Sequence, residues 1–176
     1  MGKGPILYVR WRTTMHIRPA TPSDLDGALA VYKSARAFMR ETGNPNQWGD
    51  SFPPRELVEG DIQTGALRVC VDGNGDVLGC FAFLPGPEPD YARIYNGSWP
   101  NDKPYDLVHR FAVLRQGRGV GGAMLDWALE HGRNLRVDTH RDNKPMQGLL
   151  ASRGFAYCGI IKLGRNGDER LAYAHA

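Results

Sequence analysis

A mixed α/β fold, mostly antiparallel in its central sheet, with one parallel step and flanking helices, is what this amino-acid sequence predicts. Three observations carry that prediction. Between Tyr105 and Thr139 a strand, a glycine-rich turn, a helix and a second strand follow one another, the order of a parallel crossover. Two pairs of strand-like runs are joined by turn formers, Asp72-Gly-Asn-Gly75 and Gly164-Arg-Asn-Gly-Asp168, as antiparallel hairpins require. No repeat, low-complexity tract or linker interrupts the 176 residues, a length suited to one domain around a real core.

The elements follow in order. Ser23-Asp-Leu-Asp-Gly27 supplies an N-cap candidate and an acidic first turn for a helix reaching about Thr42. Residues 43–54 are turn formers around Trp48 and Phe52, and Arg55 to Gln63 reads as a short second helix. Leu67 to Val71 and Val77 to Phe83 form the first hairpin. An irregular segment, Pro85 to Pro104, carries Tyr91, Tyr95 and Trp99. Tyr105 to Val113 is rich in β-branched and aromatic residues, and strict alternation puts Leu107, His109, Phe111 and Val113 on one face. Ala123 to His131 has a helical stripe of Leu125, Ala128 and Leu129 and stops at Gly132. Leu135 to Thr139 is the next strand, and Ala156 to Leu163 with Glu169 to Ala174 makes the last hairpin.

Composition narrows the function classes. A net charge of +3 does not argue for nucleic acid as a partner and is compatible with an anionic cofactor. No apolar stretch approaches a membrane span, and the first ten residues lack the apolar core and cleavage site of a signal peptide. Cys70, Cys80 and Cys158, odd in number and set in apolar runs, read as buried free thiols of a reducing compartment. The expectation is a cytoplasmic protein with a flexible extension over residues 1–14 and a single domain over 15–176.

The most specific stretch is Val113-Leu-Arg-Gln-Gly-Arg-Gly-Val-Gly-Gly-Ala-Met-Leu125. Glycines turn the chain with φ > 0 and leave amides uncovered, and a following helix N-terminus favours an anion, so the run is suited to a phosphate. A P-loop is excluded, since no Gly-Lys-Ser/Thr closes it. The dinucleotide fingerprint fits the spacing Gly117-x-Gly119-x-x-Gly122, with Asp138 where a ribose-binding acid belongs. Against it stand Arg115 and Arg118 in the loop and too little chain after Asp138 for a second mononucleotide half.

A third arrangement fits better. Gln116-Gly-Arg-Gly119-Val-Gly121 matches Gln/Arg-x-x-Gly-x-Gly/Ala, the motif of the GNAT superfamily of acyl-CoA-dependent N-acyltransferases. Asn143-Lys-Pro-Met-Gln-Gly-Leu-Leu-Ala-Ser-Arg-Gly-Phe155 resembles that family's asparagine-plus-helix segment ending in Gly-Phe, and Met15 to Leu29 resembles its first strand entering its first helix. The resemblance runs from Met15 to about Tyr173.

What the resemblance implies is an acetyl-CoA-dependent N-acetyltransferase working by direct transfer in a ternary complex. The acceptor would be a small amine, an amino acid or a peptide amino group. It implies that the pyrophosphate lies on amides of Gln116, Gly117, Arg118, Gly119, Val120, Gly121, Gly122 and Ala123. The strand backbone at Phe111, Ala112 and Val113 would meet the pantetheine arm and acyl carbonyl, and Asn143 would contact the cofactor. A base must free the amine near neutral pH. His109 is the candidate, since many members carry a glutamate near that position and histidine suits the same work. Many members also carry a tyrosine four residues before Gly-Phe to protonate the leaving thiolate; here that residue is Leu150, and Tyr157 and Cys158 are the nearby substitutes. Trp48, Tyr91 and Trp99 are candidates for the acceptor pocket, with Phe52 and Tyr95 beside them and Glu41 and Asp50 as possible added charge. No metal is expected: His109, Asp138 and His140 make a weak ligand set without a further ligand nearby. A homodimer is compatible with the sequence. Alternative readings are a non-catalytic acyl-CoA-binding regulatory module and an NAD(P)-binding oxidoreductase.

Overall fold

The computed structural model describes residues 14–176, so the extension expected over residues 1–14 lies, up to residue 13, outside the described residues. The described chain runs β1 (His16–Pro19), α1 (Leu25–Glu41), α2 (Arg55–Gln63), β2 (Leu67–Val71), β3 (Val77–Pro85), β4 (Asp106–Val113), α3 (Val120–His131), β5 (Leu135–Thr139), α4 (Lys144–Ser152), β6 (Ala156–Lys162) and β7 (Glu169–His175). One sheet holds all seven strands in the order β1-β2-β3-β4-β5-β7-β6. Every pairing is antiparallel except β4 with β5.

Alternation along the strands gives the sheet two apolar faces. Val69, Val71, Cys80 and Ala112 pack under α1 and α2 with Val31, Tyr32, Val58 and Ile62. Phe81, Val108, Leu135 and Val137 pack under α3 and α4 with Met124, Leu125, Ala128 and Leu150. Met124, Leu125 and Leu150 are fully buried, worth about 1.5–3 kcal/mol each by area removed from water. A smaller cluster joins Tyr91, Leu107, Ile161 and Ala172 beneath the irregular segment.

Two features of β4 position everything that follows. The parallel register with β5 lasts for only two residue pairs, Leu107 with Arg136 and Val108 with Val137, so the strands part beyond Val108. Against β3 the ladder runs Ala82 with His109 and then Cys80 with Ala112, leaving Arg110 and Phe111 together opposite Phe81. This is a β-bulge, and Arg110 adopts φ 51° in it. The buried Tyr32 hydroxyl of α1 donates to the Arg110 carbonyl at 2.9 Å, and the guanidinium is held by Asp61 of α2 at 2.8 and 2.9 Å.

The bulge overturns one expectation. His109 and Phe111 do not share a face: Phe111 points toward α3, 5.9 Å from the Phe81 ring, while His109 faces Tyr91 at 5.8 Å on the other side. An extra residue reverses the alternation for everything beyond it. Smaller corrections concern helix starts. The first helix is preceded by a 3₁₀ turn at Pro22–Asp24, where Asp24 rather than Ser23 closes the turn, accepting the Thr21 amide at 2.7 Å. α3 begins at Val120, inside the glycine run, and the irregular segment contains a 3₁₀ turn at Pro89–Tyr91.

Candidate active site

Where β4 and β5 part, two clefts open and meet. The first, a groove of about 400 Å³, runs between the loop before α3, the edge of β4 and α4, with Phe38 and Met39 of α1 along it. Its glycines explain its form. Gly117 and Gly119 have φ of 73° and 77°, a conformation costing an ordinary side chain about 1–2 kcal/mol. Among the described residues no side chain caps the first turn of α3, and Val120, Gly121 and Gly122 of that turn line the groove. Arg115 and Arg118 line the groove, and among the described residues no carboxylate does. Amide donors, a helix N-terminus and two cations without a competing acid fit a diphosphate.

The second cleft, about 220 Å³, lies on the His109 side of the sheet. His109 stands between two carboxylates, with Nε2 3.4 Å from Glu88 Oε2 and Nδ1 3.7 Å from Asp138 Oδ2. Hydrogen bonding to His109 holds the Glu88 carboxyl below its usual range. The Tyr91 hydroxyl donates to Asp138 at 2.7 Å, and burial pushes that phenol well above the ordinary tyrosine value, so it remains a donor. Trp48 and Phe52 form an aromatic wall, and Arg110, Arg165 and Arg170 also line the space. Phe111, Asn143 and Met146 line both clefts and mark their junction.

The residues singled out in the sequence fall into four groups. Phe111, Ala112, Val113 and the run from Gln116 to Gly122 line the groove, with Ala123 in the next turn of α3. Asn143 caps α4, accepting the Met146 amide at 3.1 Å, and its amide group donates to Gln47 at 2.9 Å. His109, Trp48 and Tyr91 line the second cleft.

Others are elsewhere. Trp99 sits behind Tyr91, donating to its carbonyl at 3.0 Å and covering Arg136, because the irregular segment folds back on itself. Tyr157, about half exposed, stacks edge-on against Tyr173, and the Cys158 thiol turns to the Ala156 carbonyl at 3.3 Å. Neither lines either cleft, since β6 is the far edge of the sheet. His140 turns to Asp142 rather than joining His109, and Asp50 is exposed beside Arg40. Among the described residues no group of three His, Cys, Asp or Glu side chains is placed to hold a metal.

Sequence reasoning missed Glu88, Gln47, Arg165 and Arg170. The only local signal was for Glu88, which caps the turn formed by the Pro89-Asp-Tyr91 run and accepts the Asp90 amide at 3.2 Å.

The comparisons agree with this geometry. The model of a family described as the acetyltransferase (GNAT) family matches residues 29–155. The fold is similar to a GNAT-family acetyltransferase from Streptococcus agalactiae 2603, with 35% sequence identity, a TM-score of 0.81, and coverage of 91% of this chain and 94% of that one. It is also similar to a GNAT-family acetyltransferase from Listeria monocytogenes 4b F2365, at 18% identity, a TM-score of 0.65, and coverage of 92% and 95%. No curated protein matches the chain.

Proposed function

The chain belongs to the GNAT acetyltransferase family, and from that premise we propose that it transfers the acetyl group of acetyl-CoA to a primary amine held in the second cleft. The observation that carries the reading is the junction itself. A groove built for a diphosphate and a cleft holding an imidazole between two carboxylates share Phe111, Asn143 and Met146 as a common wall.

Each component has a defined task in this reading. The groove amides from Gln116 to Gly122 bind the pyrophosphate, and acetyl-CoA supplies an activated thioester. Beyond Val108 the β4 edge is free of β5, which leaves backbone donors at Phe111 to Val113 available to the acyl oxygen as it gains charge. An alkylammonium has a pKa of about 10.4, so the amine arrives protonated at neutral pH. His109 accepts that proton, which then lies between Glu88 and Asp138, while Tyr91 fixes the orientation of Asp138. The amine nitrogen attacks the acyl carbon, the C–N bond forms, and the C–S bond breaks with its electron pair on sulfur. The proton remaining on nitrogen passes to the thiolate. A thiol of pKa about 8.5 leaves without a dedicated acid, consistent with a fully buried Leu150 where many relatives carry tyrosine.

Two measurements test this. Acetyl-CoA or CoA raises the thermal unfolding midpoint and NAD does not, because a ligand bound only by the folded state stabilises it; the reverse result favours the oxidoreductase reading. Thiol release with a panel of primary amines then separates an enzyme from a CoA-binding regulatory module.

A further inference from the structure

The three arginines of the second cleft have different surroundings. Arg110 is tied by two hydrogen bonds to Asp61, and Arg165 is exposed with its guanidinium 4.6 Å from the Phe52 ring centre. Arg170, only 3% exposed, makes no ion pair among the described residues. Its Nη1 and Nη2 donate to the carbonyls of Glu169 and Gln47 at 3.0 and 3.1 Å. Asp138 and Asp168 act on it from beyond contact, and burial pulls the guanidinium below the ordinary arginine value. A buried cation held by carbonyls alone, with no carboxylate in contact among the described residues, is costly, and functional sites are where such charges persist. An unpaired donor lies in the same wall: among the described residues the buried Thr139 hydroxyl has no hydrogen-bond partner.

These donors do not belong to the diphosphate, which the other groove accommodates. The cleft holds acids and cations on different segments. Glu88 and Asp138 flank His109, whereas Arg170 enters from β7, two strands from β4. A volume of about 220 Å³ is below the roughly 300–1,000 Å³ of drug-sized sites, so the ligand is small. We propose that the acceptor is a free amino acid, its amine at His109 between Glu88 and Asp138 and its carboxylate on Arg170, with Thr139 as a further donor. Arginine pairs bidentately with carboxylates, and the Thr139 hydroxyl adds the donor that a carboxylate's second oxygen needs. The inference rests on the acyl-transfer reading and narrows its acceptor.

The test compares the standard L-amino acids with their α-amides, using acetyl-CoA and thiol release by the full chain. Amides keep the amine and side chain but remove the negative charge. The expected result is a kcat/KM at least tenfold higher for the best acids than for their amides, expressed mainly in KM. Arg170→Gln reduces that ratio toward one, and Arg170→Lys restores part of it. His109→Gln lowers turnover on acids and amides in the same proportion. Equal turnover of acids and amides by the wild-type chain overturns the proposal while leaving acyl transfer intact. Absence of turnover on every amine fails the acyl-transfer reading instead. In that case calorimetric titration of the same acids and amides into the CoA-loaded chain decides: preference for acids supports the anion site, and equal or absent binding of both removes it.

Discussion

The groove and the cleft are built on opposite principles. The groove is largely backbone, walled by one continuous run from Gln116 to Gly122 and shaped by glycines, with Arg115 and Arg118 beside it and no acid among the described residues that line it. The cleft is side chain, assembled from the segment after α1, the irregular segment before β4, the ends of β4 and β5, and the last hairpin. A backbone site is fixed by local chain geometry and tolerates exchange of neighbouring side chains. A side-chain site depends on each contributor and can be retuned for a new acceptor one residue at a time. The largest expected difference follows directly: His109→Gln lowers kcat by about 10²–10⁴ near neutral pH, the usual contribution of a positioned base, while CoA affinity is retained. The loss shrinks as pH rises toward the amine's own pKa, because the free amine then forms without help. A variant equally impaired across the pH range would remove His109 from the role.

Attacking the groove should give the reciprocal pattern. Gly119 caps α3 with φ 77° and ψ 4°, and a Cβ there meets no neighbour, so the penalty on substitution is conformational rather than steric. Gly119→Val therefore forces a β-branched residue into the left-handed region, a strain of about 1–2 kcal/mol, or moves the loop to avoid it. CoA binding, measured calorimetrically, is expected to weaken by about tenfold, with acceptor discrimination unchanged. Loss of acceptor preference together with CoA affinity would mean that the two regions are not separable.

The same contrast decides which parts of the molecule are legible in its amino-acid sequence. The strand, glycine run, helix and next strand are legible because all the information is local: period-two alternation, glycines at the turn, and Gly132 at the helix end. The mixed sheet with one parallel step follows from that unit and two hairpins. Side chains in the cleft are legible where they lie within the crossover, as His109 and Asp138 do, or where they are large aromatics among turn formers, as Trp48 and Tyr91 are. Arg170 looks like any strand charge, and its burial depends on Gln47, which is 123 residues away in the chain. The bulge is invisible because nothing in Leu-Val-His-Arg-Phe announces an extra residue; it is stabilised from outside by Tyr32 and Asp61.

A smaller effect is expected in a part of the scaffold that touches neither region. Arg18 grips Asp24 at 2.7 and 3.0 Å and lowers its pKa from 3.8 to about 2. A depressed carboxyl pKa stabilises the fold above the unfolded value and ceases to do so as pH falls through the folded one. With Arg18 one-third exposed, the pair is worth about 1–2 kcal/mol after screening. Asp24→Asn should lower denaturant stability by that amount at pH 7. The difference should close between pH 4 and 2, with kcat and KM unmoved. A kinetic change would extend the influence of the clefts further into the fold than their linings suggest.

The smallest expected effect concerns the leaving group. Tyr157 and Cys158 are the two sequence neighbours that could replace the acid missing at Leu150, and the fold carries both to the far edge of the sheet. Tyr157 packs on Tyr173 with half its surface in solvent, and Cys158, its thiol pKa raised by burial, bonds to the Ala156 carbonyl. Reaching the junction would require β6 to cross β7 and β5, which the pairing forbids. Tyr157→Phe and Cys158→Ser are therefore expected to keep kcat within a factor of about two of the wild type, with thiol release as the readout. Two silent variants would leave the junction without a side-chain acid from β6, in keeping with the leaving-group chemistry of a thiol of pKa about 8.5. A loss of tenfold or more in either would instead require the last hairpin to move during turnover, and would join the two regions through β7, the strand that carries Arg170.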